Sequence, residues 1–185
     1  FRMAGEQWRE FSSANYWENR DHKGGNSGAG SYNHLMRHKA EVINGFMEEN
    51  AVRSVIDFGV GDGSQLSALA VREYTGFDVS NTVLDKVRQL FASDGGKTFL
   101  HTSEYAGHTG ELGLSLDVIY HLVEDEVFHE YMARLFDAST RYVIMYSSNE
   151  EKKYPERAHV RHREFSRWIA RERPAWKCIR YIKNK

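Results

Sequence analysis

Ser54-Val55-Ile56-Asp57-Phe58-Gly59-Val60-Gly61-Asp62-Gly63, SVIDFGVGDG, is the stretch whose reading decides the fold. A short apolar run closed by glycine reads as a buried strand of the kind parallel sheets cover on both faces. The glycines behind it read as a turn that opens a helix over SQLSALAV (64–71). Working outward, EYTGFD (73–78) is a second strand, and Ser80 caps a helix whose Val83, Leu84, Val87, Leu90 and Phe91 share one stripe. KTFLHT (97–102) is a third strand, ELGLSLDVIY (111–120) contains a fourth, and RYVIMYS (141–147) is a fifth. Between the last two, EDEVFHEYMARLF (124–136) is helical, with acids in its first turn. REFSRWIARER (163–173) is a helix stopped by Pro174, and WKCIRYI (176–182) is a sixth strand in which Cys178 packs inward. Upstream, Ser31 can cap a helix carrying Leu35, Met36, Ile43, Phe46 and Met47, with Lys39 the polar interruption. This alternation predicts an α/β fold, a mostly parallel sheet with helices on both faces and right-handed crossovers.

The 185 residues suit one domain with a real core, and 41% hydrophobic and 28% charged residues are ordinary for a globular chain. No apolar run approaches the ~20 residues of a membrane span, and FRMAGEQWRE has no signal-peptide core, so the expected location is the cytoplasm. One cysteine excludes an intrachain disulfide framework. The net charge of −1 divides unevenly: residues 152–185 carry +9 and residues 1–151 carry −10. A basic end of this kind can face an anionic partner or balance the acidic body.

In a sheet of this type ligands bind beyond the carboxyl ends of the strands, where the strand order reverses. Gly59, Gly61 and Gly63 leave the first strand at that end, but Ser64 stands where a dinucleotide fingerprint needs its third glycine. A pyrophosphate would also be repelled by Asp57 and Asp62. A ligand carrying ammonium and sulfonium cations would be attracted. Asp78, twenty-one residues after Asp57, can accept both hydroxyls of a ribose.

DFGVGDG, YTGFDVS and LSLDVIYHLVEDE together resemble the motifs of the Rossmann-like, class I S-adenosylmethionine (SAM) dependent methyltransferases, in the style of bacterial small-molecule and glycan enzymes. The likeness spans roughly residues 50–150, and YWENR (16–20) with the glycine run after it also looks like the N-terminal part of many bacterial members. It implies that Asp57 and the backbone of Gly59, Gly61 and Gly63 hold the methionine end of SAM, and that Asp78 holds the ribose. Ser103, Glu104 or Tyr105 would then lie by the adenine. Residues 1–185 become a single methyltransferase domain: an N-terminal lid and helix (1–50), a SAM-binding core (51–150) and a basic helix and strand (151–185). The family closes its sheet with a hairpin of sixth and seventh strands, so a seventh strand is missing here. Because an open edge invites aggregation, the expectation is that this strand belongs to a longer parent chain.

GGNSGAGS (24–31) lacks both the Lys-Ser/Thr ending of a P-loop and a preceding strand. It reads as a flexible linker or as a lid. As a lid, Ser27 and Gly28 would offer amides to the carboxylate of SAM, with Tyr16, Trp17 and Arg20 folding over.

Methyl transfer to a hydroxyl needs an aligned nucleophile and a base. His121 is the first choice, for a reference pKa near neutral, with Asp117 four residues before it and Tyr120 between them. His159 and His162 are the second candidates. HVRH has no further ligand at metal spacing, so no metal is expected. Ser147 would shape the acceptor pocket, and Arg161 and Arg163 would hold an anionic acceptor. The leading reading is a methyltransferase acting on a hydroxyl of a small molecule or sugar. Two alternatives stay open: a nucleic-acid or protein methyltransferase docking through the basic segment, and a SAM-binding module without catalysis. Partner copies, if any, are not legible.

Overall fold

The computed structural model describes residues 11–25, 27–28, 30, 32–154 and 156–183. Five strands, β1 (Ser54–Phe58), β2 (Glu73–Asp78), β3 (Lys97–His101), β4 (Gly110–Leu116) and β5 (Ser139–Tyr146), form one sheet in the order β3-β2-β1-β4-β5. All four pairings are parallel. The helices are α1 (Ser13–His22), α2 (Asn33–Glu49), α3 (Asn81–Leu90), α4 (Asp125–Asp137) and α5 (Phe165–Glu172). Alternate strand residues feed opposite faces, as the period of two dictates. Val55, Leu112 and Leu114 pack with Ile43 and Phe46 of α2 and Leu84 and Val87 of α3. Ile56, Phe58 and Phe77 pack on the other face with Leu135 of α4, and α4 in turn carries Trp168 of α5 on Phe128 and Phe136.

Ser80 caps α3, its hydroxyl accepting from Val83 N at 3.2 Å. The expected Ser31 cap of α2 lies outside the described residues.

Three expectations are corrected. The helix over 64–71 shrinks to a single 3₁₀ turn, Leu66–Ala68. The Asn44 side-chain amide of α2 bonds both Ala68 O (3.0 Å) and Ala70 N (2.9 Å), drawing the chain away from a helical path. The sixth strand at 176–182 does not form. Trp176 packs on Phe136 (5.1 Å), and Arg180 pairs with Glu49 (2.9 Å), so the segment runs as an extended strap held by side chains rather than by a ladder. Ile179 and Tyr181 are 70% and 82% exposed, and Cys178 is exposed instead of packed inward. The strands found in the basic segment are instead a two-residue antiparallel pair, β6 (Lys152–Lys153) with β7 (Arg161–His162). Among the described residues no helix is long and apolar enough to cross a membrane.

Candidate functional site

Strand order reverses between β1 and β4, so the crevice beyond their carboxyl ends is where ligands are expected. The glycine turn after β1 forms one wall. Gly59, Gly61 and Gly63 have φ of +102°, +58° and +81°, the left-handed region that glycine enters without penalty. Space is as tight as the backbone: a Cβ on Gly59 would lie 2.4 Å from Val118 Cγ2, where the turn after β4 touches this one.

Asp57, the last residue but one of β1, is buried. Its Oδ2 accepts from Tyr74 Oη at 2.7 Å, while Oδ1 is buried without a hydrogen-bond partner among the described residues. Burial, opposed by the Tyr74 hydrogen bond and reinforced by the nearby Asp78 charge, pushes the Asp57 carboxyl up to about 7. An orphaned carboxylate oxygen there suits an ammonium donor, and repels a phosphate. Asp78 ends β2 and accepts from Gly61 N and Ser80 N, each at 3.0 Å, with burial pushing it up to about 6. His101 pairs in register with Asp78, so the turn Thr102–Glu104 and Tyr105 lie beside it. Ser103 and Glu104 are exposed. Glu104 is tied to His101 N at 2.7 Å in a capping box, and Tyr105 rests on Phe58 (5.8 Å) and Phe77 (5.7 Å).

The first glycine run folds onto the second. Ser27 Oγ accepts from Asp62 N at 2.8 Å, and the Tyr32 hydroxyl donates to Asp62 Oδ2. Gly30 sits where a Cβ would lie 2.4 Å from Asp117 Oδ2. Ahead of it, α1 bridges the crevice: Ser13 bonds Glu124 (N to Oε1, 2.8 Å) and His121 O (2.9 Å) on the β4 side, while Glu18 accepts from Thr82 Oγ1 (2.7 Å) on the β2 side. The sequence carries a weak signal for these anchors, since Ser13 and Glu18 are ordinary helix residues.

Beyond β4, Asp117 adopts φ +63°, unusual for a non-glycine residue. Lys39 Nζ lies 2.6 Å from Asp117 Oδ2, and the Tyr120 hydroxyl donates to Oδ1 at 2.9 Å. Asp117, a candidate base by sequence, is thereby neutralised and doubly bonded. Lys39 was readable as the polar break in an apolar stripe, because a lysine on a buried face demands a counter-ion.

His121 is differently placed. Its Nδ1 lies 3.1 Å from His159 O, and a carbonyl can only accept, so Nδ1 carries the proton and Nε2 is the basic nitrogen. Among the described residues no hydrogen bond engages Nε2. Trp17 meets the ring edge-on (4.7 Å) and Tyr120 tilts against it (4.5 Å). Burial is the main cause that lowers its pKa to about 4, so the ring is neutral at pH 7. His159 stacks on Tyr16 at 4.8 Å, and His162 contacts the Ser148 hydroxyl. Ser147 follows β5, with its Oγ buried and without a partner among the described residues. No three metal-binding side chains come together among the described residues.

Arg161 and Arg163 are spent inside the fold. Arg163, 5% exposed, bonds Leu122 O, Val123 O and Asp125 (2.6 Å) and covers Phe128. Arg161 bonds Val123 O (3.1 Å) and Asp125 (2.7 Å). The two guanidiniums expected to grip an anionic acceptor both tie down the turn between β4 and α4.

The fold is that of the class I SAM-dependent methyltransferases. The methyltransferase domain of bacterial CtHen1 is 19% identical, with a TM-score of 0.59 over 74% of this chain and 83% of that one. The N-methyltransferase NodS from Bradyrhizobium japonicum WM9, in complex with S-adenosyl-L-homocysteine, is 15% identical with a TM-score of 0.60 over 74% and 71%. Magnesium protoporphyrin IX methyltransferase from Synechocystis PCC 6803, with bound SAM, is 15% identical with a TM-score of 0.54 over 80% and 82%. No family model and no curated protein matches the chain.

Proposed function

We propose that this chain is a SAM-dependent methyltransferase that modifies a hydroxyl of a small molecule or sugar, with His121 as the proton acceptor. The observation that carries the reading is the orphaned, buried Asp57 Oδ1 beneath a left-handed glycine turn, with Asp78 beside it. Asp57 would hold the ammonium of the cofactor, Asp78 its ribose, the 103–105 turn its adenine, and Ser27 and Gly28 the methionine end. Bound there, SAM supplies a methyl group on a positively charged sulfur that leaves as a neutral thioether. His121 Nε2 takes the proton of the acceptor hydroxyl, and the carbonyl of His159 keeps the ring in the tautomer that can do so. Tyr120, Trp17 and Ser147 would flank the acceptor, and α1 would exclude water above it. NodS, protoporphyrin and small-RNA enzymes share this fold, so acceptor class is argued from the site alone. Internal pairing of Arg161, Arg163, Arg173 and Arg180 weighs against nucleic-acid docking through the basic segment. The exposed free thiol of Cys178 fits a cytoplasmic setting.

The test is transfer of labelled methyl from SAM to fractionated hydroxylated metabolites and glycans. His121→Ala should lower turnover by ~10²–10⁴-fold with S-adenosylhomocysteine (SAH) affinity retained. Equal turnover in that variant, with loss in His159→Ala, moves the base to His159.

A further inference from the structure

The C-terminal end of α1 and the residues after it line a cleft of about 570 Å³ between Tyr16, Asn19, Arg20, Lys23, Gly24 and Gly25. It is wide open to solvent, with room for an anionic group of a small molecule. Two cations face it, and among the described residues neither Arg20 nor Lys23 has a carboxylate within ion-pair distance. Arg20 is only partly exposed. Its guanidinium lies 5.1 Å from the Trp17 ring centroid, and its one hydrogen bond among the described residues is a long one, 3.4 Å, to Tyr16 Oη. A partly desolvated guanidinium with so little compensation is a strong attractor for an oxyanion.

The bland role for such cations, neutralising the carbonyls at a helix end, is already filled. Lys23 N, Gly24 N and Gly25 N bond the carbonyls of Asn19, Asp21 and Arg20 at 3.3, 3.0 and 2.9 Å. The chain also folds tightly against Arg20: a Cβ on Gly25 would lie 2.6 Å from Arg20 Cγ. Glycine there holds the arginine stem in place.

Ring contacts join the cleft wall to the two histidines. Trp17, which carries Arg20 on its face, meets His121 edge-on, and Tyr16 of the cleft wall stacks on His159. We propose that the cleft takes a carboxylate or phosphate of the methyl acceptor, with Arg20 and Lys23 as its cationic contacts, so that the substrate is an anionic small molecule whose hydroxyl reaches His121. This rests on the methyltransferase reading above and supplies the anion grip that Arg161 and Arg163 do not. A consequence follows for the base. Burial chiefly, and the Arg20 charge to a lesser degree, hold His121 low, so an anion on Arg20 makes the imidazole more basic when acceptor is bound.

The experiment uses indole-labelled protein saturated with SAH, at ~0.15 M salt so that diffuse attraction is screened. Inorganic phosphate, glucuronate and neutral glucose are titrated in turn, and the Trp17 indole resonance is followed after assignment with Trp17→Phe. The expected result is a saturable shift with phosphate, glucuronate or both, none with glucose, and at least about tenfold weaker binding in Arg20→Gln/Lys23→Gln. Response to phosphate alone marks a phosphorylated acceptor, and response to glucuronate alone a carboxylated one. Absence of any saturable shift, or an unchanged one in the double variant, overturns the proposal. Calorimetry of SAH separates the two levels: absent SAH heat on wild type overturns the methyltransferase reading itself, whereas intact SAH heat with no Trp17 shift overturns the anion site alone.

Discussion

Lys39 Nζ lies 2.6 Å from Asp117 Oδ2, and the two side chains are 3% and 12% exposed. The pair joins α2 to the turn after β4 and keeps Asp117 in its left-handed conformation. Tyr146 lies under the ammonium at 4.8 Å, completing the enclosure.

Removing one partner strands the other. Lys39→Met should destabilise the protein by about 3–5 kcal/mol, because an uncompensated buried carboxylate remains. Lys39→Met/Asp117→Asn should recover most of that loss. Urea unfolding of both variants checks it, and equal stabilities for the single and double variants would mean the pair is not coupled.

Asp57 and Asp78 give the site a pH dependence whose sign is fixed. Burial is the first cause of both shifts, to about 7 and about 6. The SAH ammonium pairs with ionised Asp57 and its ribose hydroxyls donate to ionised Asp78, so affinity for SAH is complete above pH 7 and falls as pH drops through 7 and then 6. Binding releases protons, measurable as a buffer-dependent heat. The unliganded protein runs the other way for these two groups: their folded pKa values exceed the unfolded value, so their stability contribution is present below the unfolded pKa and is lost as pH rises through the folded ones. Asp57→Asn should remove the upper step in the affinity profile. An SAH affinity flat from pH 5 to 8 would contradict this.

The parallel sheet was legible because five strand-like runs are separated by helix-period stretches, and because Gly59, Gly61 and Gly63 mark where the chain must turn; the strand order was not read from the sequence. Asp57 and Asp78 were legible for the same reason, as acids fixed at strand ends. What the residues did not show is who takes whose charge. Arg161, Arg163 and Asp117 each carry the right chemistry for the site, yet their partners Asp125 and Lys39 lie 36, 38 and 78 positions away, and no local pattern reports such pairings. WKCIRYI alternates like a strand, but alternation cannot say whether a neighbouring edge receives it. Trp176 and Arg180 bind elsewhere instead.

That strap gives a direct chemical check. Cys178 is exposed, so in the folded protein a disulfide-exchange reagent should modify it nearly as fast as in the denatured chain, and Cys178→Ser should change stability by no more than about 0.5 kcal/mol. Strong protection in the native state would show that 176–182 is packed as a strand after all.

The glycine turn offers a steric check. Gly59→Ala places a Cβ at φ +102° and within 2.4 Å of Val118 Cγ2. The expected cost is about 1–3 kcal/mol in stability, with loss of SAH binding. Gly45, inside α2 with open space around its Cβ position, is the control, and Gly45→Ala should be neutral or stabilising.

The measurement that tests the central claim most directly is calorimetric titration of wild type and Asp78→Ala with SAM, SAH, NAD and ATP at pH 7.5 or above. The account predicts stoichiometric binding of SAM and SAH by wild type, far weaker binding of NAD and ATP, and at least about tenfold loss for both adenosyl ligands in Asp78→Ala. Binding of NAD or ATP in preference to SAM, or SAM affinity unchanged in Asp78→Ala, would contradict it.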